Sequence, residues 1–220
     1  RVLGLVDTVL TPEEIGGIRA TNRLLYADYS SSLPSQNVKT EFRRAVITGG
    51  HGANPPKSAK NYPNQEWIRS QVGYRNIIFA NQVEEKVKRE VIPALRAAFA
   101  TPWAQADQIV NTVVRANALV VVAHEETHPW VIFPEVSWLE ELKSTVLGMY
   151  TILQTPTIGH DVADSLISEV ASALLLHRYH HYLLQRGDSQ FEDYYIGDTI
   201  FLTHLLRGGF FLLTPEGKIG

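Results

Sequence analysis

The amino-acid sequence predicts a mainly α-helical fold with a little β-strand. Thr11-Pro12-Glu13-Glu14 is a helix start, because a capping hydroxyl precedes a proline at the first helical position and two acids that favour the positive end of the helix dipole. Further along, apolar residues recur at four-residue spacing, at Val83, Val87, Val91, Leu95 and Phe99. Long helical patterns then follow one another to the pair Gly208-Gly209, which is a typical helix end.

The first eighty residues contain the most irregular part of the chain. We predict a helix from Thr11 to about Tyr29, a loop over Ser30 to Pro34, and a short helix over residues 38–47. Glycine, asparagine and proline are concentrated between about 48 and 66, which indicates a linker or an active-site loop. The stretch from Arg75 to Ala80 is apolar and partly β-branched, so it fits either a strand or a buried turn of helix.

The rest of the chain is predicted to be helical almost throughout. A helix begins at Asn81 and runs to about Phe99, with a kink at Pro93. The segment from Phe210 to Ile219 is predicted to be a loop or an edge strand. We therefore interpret residues 1–220 as a single, mostly helical core. Four further helices are expected at 104–128, 136–153, 161–186 and 191–207.

The composition excludes several classes of function. The chain has 220 residues, of which 45% are hydrophobic and 20% charged, an ordinary globular balance. Its formal charge is -3 and its basic residues are scattered, so we expect neither nucleic-acid nor membrane binding. No apolar run reaches the length of a membrane span. The absence of cysteine excludes disulfides and thiolate metal sites, and together with the absence of N-x-S/T sequons it is compatible with a cytoplasmic protein, which we expect.

The residues most informative about chemistry are His124-Glu125-Glu126-Thr127-His128. On a helix, residues four apart lie on one face, about 6 Å apart at Cβ. Two imidazoles so placed can both reach one Zn²⁺ at roughly 2.0–2.1 Å. Glu125, next to the first histidine, can take a proton from a water molecule activated by the metal. The motif therefore predicts a zinc site with a carboxylate as general base.

A plainer interpretation is a helix that merely carries two histidines. Pro129 favours it, because a proline disfavours helical geometry in the residue before it. The apolar run from Ala116 to Ala123 opposes it, because a buried helix leads directly into the motif.

A catalytic zinc site needs a third protein ligand, and the next predicted helix offers Glu135, Glu140 and Glu141. Glu140 and Glu141 are about 100° apart on the helix surface, so only one can point squarely at the metal. We favour Glu141 as the ligand, with Glu140 accepting the outer ring N–H of a ligand histidine. The alternative is that both are solvated surface acids. A second histidine pair, His177 and His181, is more typical of a polar helix end than of a second metal site.

The order of several short motifs resembles the dipeptidyl peptidase III family and its bacterial relatives, which are helical zinc exopeptidases. The likeness runs from about Ile47 to Pro215, and the shorter histidine spacing is like that of the bacterial relatives. The motifs are Ala59–Glu66, Gly73–Val83, the histidine motif, Leu139-Glu140-Glu141-Leu142-Lys143 and Leu205-Leu206-Arg207-Gly208-Gly209.

This resemblance implies roles for individual residues. His124, His128 and Glu141 match the family's zinc ligands, Glu125 matches its catalytic acid-base, and Glu140 matches the acid that supports a ligand histidine. Asn61, Asn64 and Tyr194 are candidates for substrate or transition-state contacts. Two positions depart from the family pattern: Thr145 replaces an acid, and Tyr194 stands where the family has a histidine.

The expected function is therefore zinc-dependent hydrolysis, with one Zn²⁺ per chain and a short peptide or another small amide as substrate. Residues 1–220 are then a metallohydrolase core. The resemblance implies that it is either a fragment or one lobe of a larger two-lobed protein, whose second lobe or a partner chain completes the substrate cleft, or a compact variant with a different substrate. Two alternatives stay open. The chain is either a weak or inactive relative that serves as a binding or assembly subunit, or a zinc amidohydrolase of a small metabolite.

Overall fold

Helices dominate the protein and are accompanied by one small sheet of three strands, which confirms the predicted mainly α fold class. The computed structural model describes residues 10–29, 37–45, 58–63, 66–100, 109–130, 137–188 and 192–219. The strands are β1 (Val38–Arg43), β2 (Ala59–Tyr62) and β3 (Tyr74–Phe79). The helices are α1 (Pro12–Tyr26), α2 (Glu66–Val72), α3 (Ala80–Lys86), α4 (Ile92–Ala98), α5 (Val110–Thr127), α6 (Ser137–Gln154), α7 (Val162–Gln185) and α8 (Glu192–Arg207).

The first helix begins at the predicted signature. The Thr11 hydroxyl accepts a hydrogen bond from the Glu14 N–H at 3.2 Å, and the Glu14 carboxylate accepts one from the Thr11 N–H at 2.7 Å. This reciprocal capping box satisfies two backbone donors that a helix start would otherwise leave unpaired. Local sequence therefore fixes where α1 begins.

The three strands form one sheet in the order β1-β3-β2. β1 is parallel to β3, and β2 is antiparallel to it. The short helix predicted over 38–47 is wrong, because Val38–Arg43 pairs with β3 along its whole length. The alternative left open for 75–80 resolves as a strand. In Val38–Arg43, pairing between residues distant in sequence overrides the local helical pattern, whereas the β-branched residues of Tyr74–Phe79 already favour a strand.

One row of the sheet is entirely polar. Thr40 on β1 pairs with Asn76 on β3, and Asn76 pairs with Asn61 on β2. Cross-strand partners project from the same face of a sheet. We call Thr40, Asn76 and Asn61 the polar row.

The kink predicted at Pro93 takes the form of a π-helical turn, Val87–Val91, between α3 and α4. Proline has no N–H, and its ring crowds the carbonyl four residues earlier. A wider turn just before Pro93 accommodates both defects. The apolar side chains of this turn remain in the core.

α5 is the central helix of the fold. It packs against α1, α6 and α7 and also contacts β2 and β3, and its apolar residues are buried on nearly all sides. The prediction of a buried helix leading into the histidine motif is confirmed. Among the described residues, we find no helix that combines the length and apolarity needed to cross a membrane.

The C-terminal segment returns to the core after α8. Gly209 adopts a φ of 71°, a left-handed conformation that favours glycine at a helix end. Ile219 then forms isolated bridges to Phe99 and Leu213, and its N–H donates to the Ala98 carbonyl at 2.8 Å. This segment therefore behaves as an edge, within the predicted choice of loop or edge strand.

Candidate metal centre

The end of α5 keeps helical geometry through the second histidine of the motif. His128 caps the helix with φ -46° and ψ -43°, and its N–H donates to the His124 carbonyl at 3.2 Å. Pro129 therefore does not unwind the turn before it. The two imidazole rings lie on one face with centroids 4.6 Å apart and ring planes 83° apart.

α6 packs along α5 and brings a carboxylate to the two histidines. His124 Nε2 lies 3.3 Å from Glu141 Oε2. One potential ligand atom from each of His124, His128 and Glu141 lies within 4.8 Å of the others. In a zinc tetrahedron with bonds of roughly 2.0–2.1 Å, ligand atoms are about 3.4 Å apart. The donor set, two imidazoles and one carboxylate, fits Zn²⁺.

The outer nitrogen of each ring is already engaged, which leaves Nε2 for a metal. His124 Nδ1 lies 3.2 Å from the Thr145 hydroxyl. His128 Nδ1 lies 3.0 Å from the Ser144 hydroxyl and 3.5 Å from Glu140 Oε1. Such outer partners fix the tautomer and orientation of ligand histidines. Thr145 therefore supplies a hydroxyl at the position where the family pattern has an acid.

Lys143 holds the end of α5 from the side of α6. Its side chain is only 4% exposed. The ammonium donates to the backbone carbonyls of His128 at 3.1 Å and Trp130 at 2.8 Å, and to Glu140 at 2.5 Å. His128 is the C-cap of α5 and Trp130 lies just beyond it, so this buried lysine anchors the chain where it leaves the helix.

His124 and Glu141 each favour the charged form of the other. Burial disfavours the charged form of Glu141, yet its hydrogen bond with His124 and the nearby imidazole charges lower the pKa of Glu141 to about 2. Burial likewise opposes the charge of His124, but the contact with Glu141 outweighs it and raises the pKa of His124. Zinc would have to displace that proton.

Glu125 differs from its neighbours because burial raises the pKa of its carboxyl group, although the adjacent histidines oppose the shift. Asn61 on β2 donates from Nδ2 to Glu125 Oε2 at 2.5 Å. Asn61 Oδ1 is buried and has no hydrogen-bond partner among the described residues. A positioned carboxylate with a raised pKa is what general acid-base catalysis requires.

Of the other predicted contact residues, Tyr194 lies on α8, where α8 packs against α7. Tyr194 on α8 is 42% exposed, and its ring centroid is 5.7 Å from that of His180 on α7. Asn64 falls outside the described residues. His177 contacts Thr199 at 3.0 Å and stacks on Tyr195. Within the described ranges, the group at His124 is the one set of three potential ligands close enough for a metal.

Four groups near the centre were not singled out from the sequence. The sequence alone gives different amounts of information about the four, which are Lys143, Ser144, Glu126 and Glu169. Lys143 stands among apolar residues of α6, and a lysine in such a position indicates a buried, paired ammonium group. Desolvation raises the pKa of Glu169 on α7, which is partly buried, and its electrostatic interaction with His124 depends on the packing of α7 against α5. Nothing local to residue 169 indicates that contact.

The crossing of α5 and α6 depends on Gly148. A Cβ at this position would lie 3.0 Å from the His124 nitrogen and 3.1 Å from the Ala123 carbonyl carbon, both backbone atoms. We expect Gly148→Val to push α6 away from α5 and lower the free energy of unfolding by about 1–3 kcal/mol. Urea unfolding measures this loss. Gly16→Ala is the control, since nothing lies within 4 Å of its added Cβ. Equal stability of Gly148→Val and the parent would contradict the close crossing.

Known structures share this fold, although no protein-family model and no curated protein sequence matches the chain. Dipeptidyl-peptidase III from Corallococcus sp. strain EGB superposes with a TM-score of 0.75 at 16% identity, over 94% of this chain and 40% of that one. DPP III from Caldithrix abyssi gives a TM-score of 0.63 at 18% identity, over 96% and 43%. The chain thus spans about two fifths of the length of these structures and shares their fold over that part.

Proposed function

We propose that this chain is a zinc-dependent hydrolase that cleaves short peptides, with zinc bound by His124, His128 and Glu141. The observation that carries the proposal is the convergence of these three ligands beside Glu125, a partly buried carboxyl group with a raised pKa. The likeness in fold to two dipeptidyl-peptidase III structures supports the peptidase assignment.

The chain's own residues would divide the work as follows. Zinc, when bound, supplies a Lewis acid that polarises the scissile carbonyl and makes a water molecule more acidic. Glu125 accepts a proton from the attacking water as its oxygen bonds to the carbonyl carbon. The C–N bond then breaks, and Glu125 returns that proton to the leaving nitrogen. Asn61 holds the Glu125 carboxylate during both transfers.

The proposed peptide substrate rests on the likeness in fold to two dipeptidyl-peptidase III structures, and the proposed cleft rests on how much of those structures the chain covers. Because the chain corresponds to about two fifths of those structures, we propose that a second lobe or a partner chain provides the other wall of the substrate cleft. Zinc-dependent hydrolysis of an amide bond in a small metabolite would use the same residues as peptide hydrolysis. The two reactions would differ only in the substrate that binds beside the metal.

A second candidate is a binding or assembly subunit with little activity. Its support is that Tyr194, which is exposed and contacts the ring of His180, is a tyrosine where the resemblance implies a histidine. The two candidates differ in what they need, since an enzyme requires a water-accessible metal position facing Glu125 and a scaffold does not.

Metal analysis followed by a peptide screen tests the proposal. We expect about one zinc per purified chain, and hydrolysis of some members of a library of tri- to hexapeptides, with loss of activity on chelation and recovery with zinc. Zinc without hydrolysis, in the chain alone and in its full-length context, would favour the binding subunit. No zinc even after it is offered at neutral pH would refute the hydrolase.

Zinc affinity should rise with pH. The pKa of His124 is raised in the metal-free protein, so below that pKa zinc competes with a proton, whereas Glu141 is ionised above about pH 2. Each displaced proton increases the apparent affinity by about tenfold per pH unit until the pH passes the His124 pKa. Chelator competition between pH 5 and 8 measures this slope. A flat profile, or tighter binding in acid, would contradict the ligand assignment.

A further inference from the structure

Glu126, the residue after the proposed general base, carries a buried charge with an unusually complete set of partners. The residue is 1% exposed. Arg19 on α1 donates to both of its oxygens, from Nε to Oε2 and from Nη2 to Oε1, each at 2.9 Å. Thr40 donates to Oε1, and Asn76 Nδ2 donates to Oε1 at 3.0 Å. Four donors from three elements therefore converge on one carboxylate.

The backbone at the same residue is also held. Asn22 on α1 is fully buried, and its Nδ2 donates to the Glu126 carbonyl at 3.0 Å. That carbonyl lies in the last turn of α5, where carbonyls lack intrahelical donors. From the side of α6, Lys143 donates to the carbonyls of His128 and Trp130, just after the end of the helix. The end of α5 is thus clamped from both sides, by α1 and by α6.

The polar row connects this clamp to the general base. Thr40 and Asn76 contact Glu126, and Asn61, at the other end of the row, contacts Glu125. Neighbouring strands are about 4.8 Å apart, so the row spans about 10 Å. Adjacent helical residues point about 100° apart, so the two glutamates reach different ends of it. Rotation of α5 about its axis would break both contacts together.

We propose that Glu126 is a positioning residue, whose carboxylate locks the rotation of α5 against the polar row so that Asn61 holds Glu125 at the metal. The inference rests on the proposed function. A purely stabilising role fits less well, because a buried ion pair contributes little net stability compared with apolar residues of similar size. What such a pair does provide is a defined arrangement of the elements that carry it.

The test compares Glu126→Gln with the parent, both loaded with zinc, by the NMR signals of the Asn61 side-chain amide. Asn61→Ala identifies these signals by their loss. We expect Glu126→Gln to shift them although Asn61 does not touch Glu126. On a peptide that the parent cleaves, kcat should fall by about 10- to 100-fold while KM stays within about threefold.

Asp161→Asn is the matched control. It removes a carboxylate that Arg115, another α5 residue tied to α1, contacts at 2.8 Å, far along the helix from the motif. This variant should lose some stability but keep the Asn61 signals and kcat of the parent. Thr40→Val keeps the ion pair between Arg19 and Glu126 and should reproduce part of the Glu126→Gln effect. Thr40→Ser keeps the hydroxyl that donates to Glu126, so it should show the Asn61 signals and kcat of the parent.

The readouts separate failure of this inference from failure of the proposed function. If the parent hydrolyses nothing, the Asn61 signals still decide the positioning role. If Glu126→Gln does not fold, Thr40→Val decides it. Unchanged Asn61 signals and kcat in these variants, with a loss of stability like that of Asp161→Asn, would reduce Glu126 to a structural residue.

Discussion

Glu125→Gln should lower kcat for peptide hydrolysis by about 100- to 10,000-fold while leaving one zinc per chain. Glutamine keeps the shape of the side chain and can still contact Asn61, but it cannot accept the proton of the attacking water. Because burial raises the pKa of Glu125, removing this charge relieves a desolvation cost. We therefore expect the variant to be at least as stable as the parent.

Steady-state kinetics and elemental analysis of the same preparations measure both properties. Glu85→Gln is the matched control. Glu85 lies on α3, away from the histidine motif; its side chain is 55% exposed and pairs with Arg89 one helical turn later. It should keep the kcat of the parent. A Glu125→Gln variant that hydrolyses peptides at the rate of the parent would exclude Glu125 as the acid-base and transfer that role to another group.

Loss of zinc is the expected result for His128→Ala and Glu141→Ala. Each change leaves two protein ligands, too few for a tight catalytic site. The loss of affinity should exceed the roughly 10- to 100-fold that removal of an outer partner costs. Glu140→Gln and Thr145→Val remove such outer partners, of His128 and His124 respectively, and should fall within that range, although Glu140→Gln also weakens the contact with Lys143.

Thermal unfolding with and without zinc measures the difference without any substrate. At a free zinc concentration 100 times the dissociation constant, binding stabilises the folded parent by about 2.7 kcal/mol and raises its Tm. The two ligand variants should show no such rise at the same concentration, and the two outer variants a smaller one. If all four variants responded to zinc like the parent, the metal would have to lie elsewhere.

Features encoded by neighbouring residues were predictable from the sequence. The capping box sets the start of α1, and Gly208-Gly209 follows the end of α8. The four-residue spacing of His124 and His128 fixes their common face, because helical periodicity is a local property. Helical periodicity likewise sets the directions of Glu140 and Glu141 on α6, about 100° apart. Their distance from the histidines, however, depends on how α6 packs.

Only the tertiary structure decided the contacts between distant segments. Val38–Arg43 is a strand because β3 lies beside it, although its local pattern also fits a helix. Asn61 meets Glu125 across 64 positions of sequence, and Arg19 meets Glu126 across 107. The sequence by itself determined the long helices and the common face of the two histidines of the motif, since both follow from interactions within a few residues. The partners that orient them come from chain closure over long separations, which no local pattern encodes.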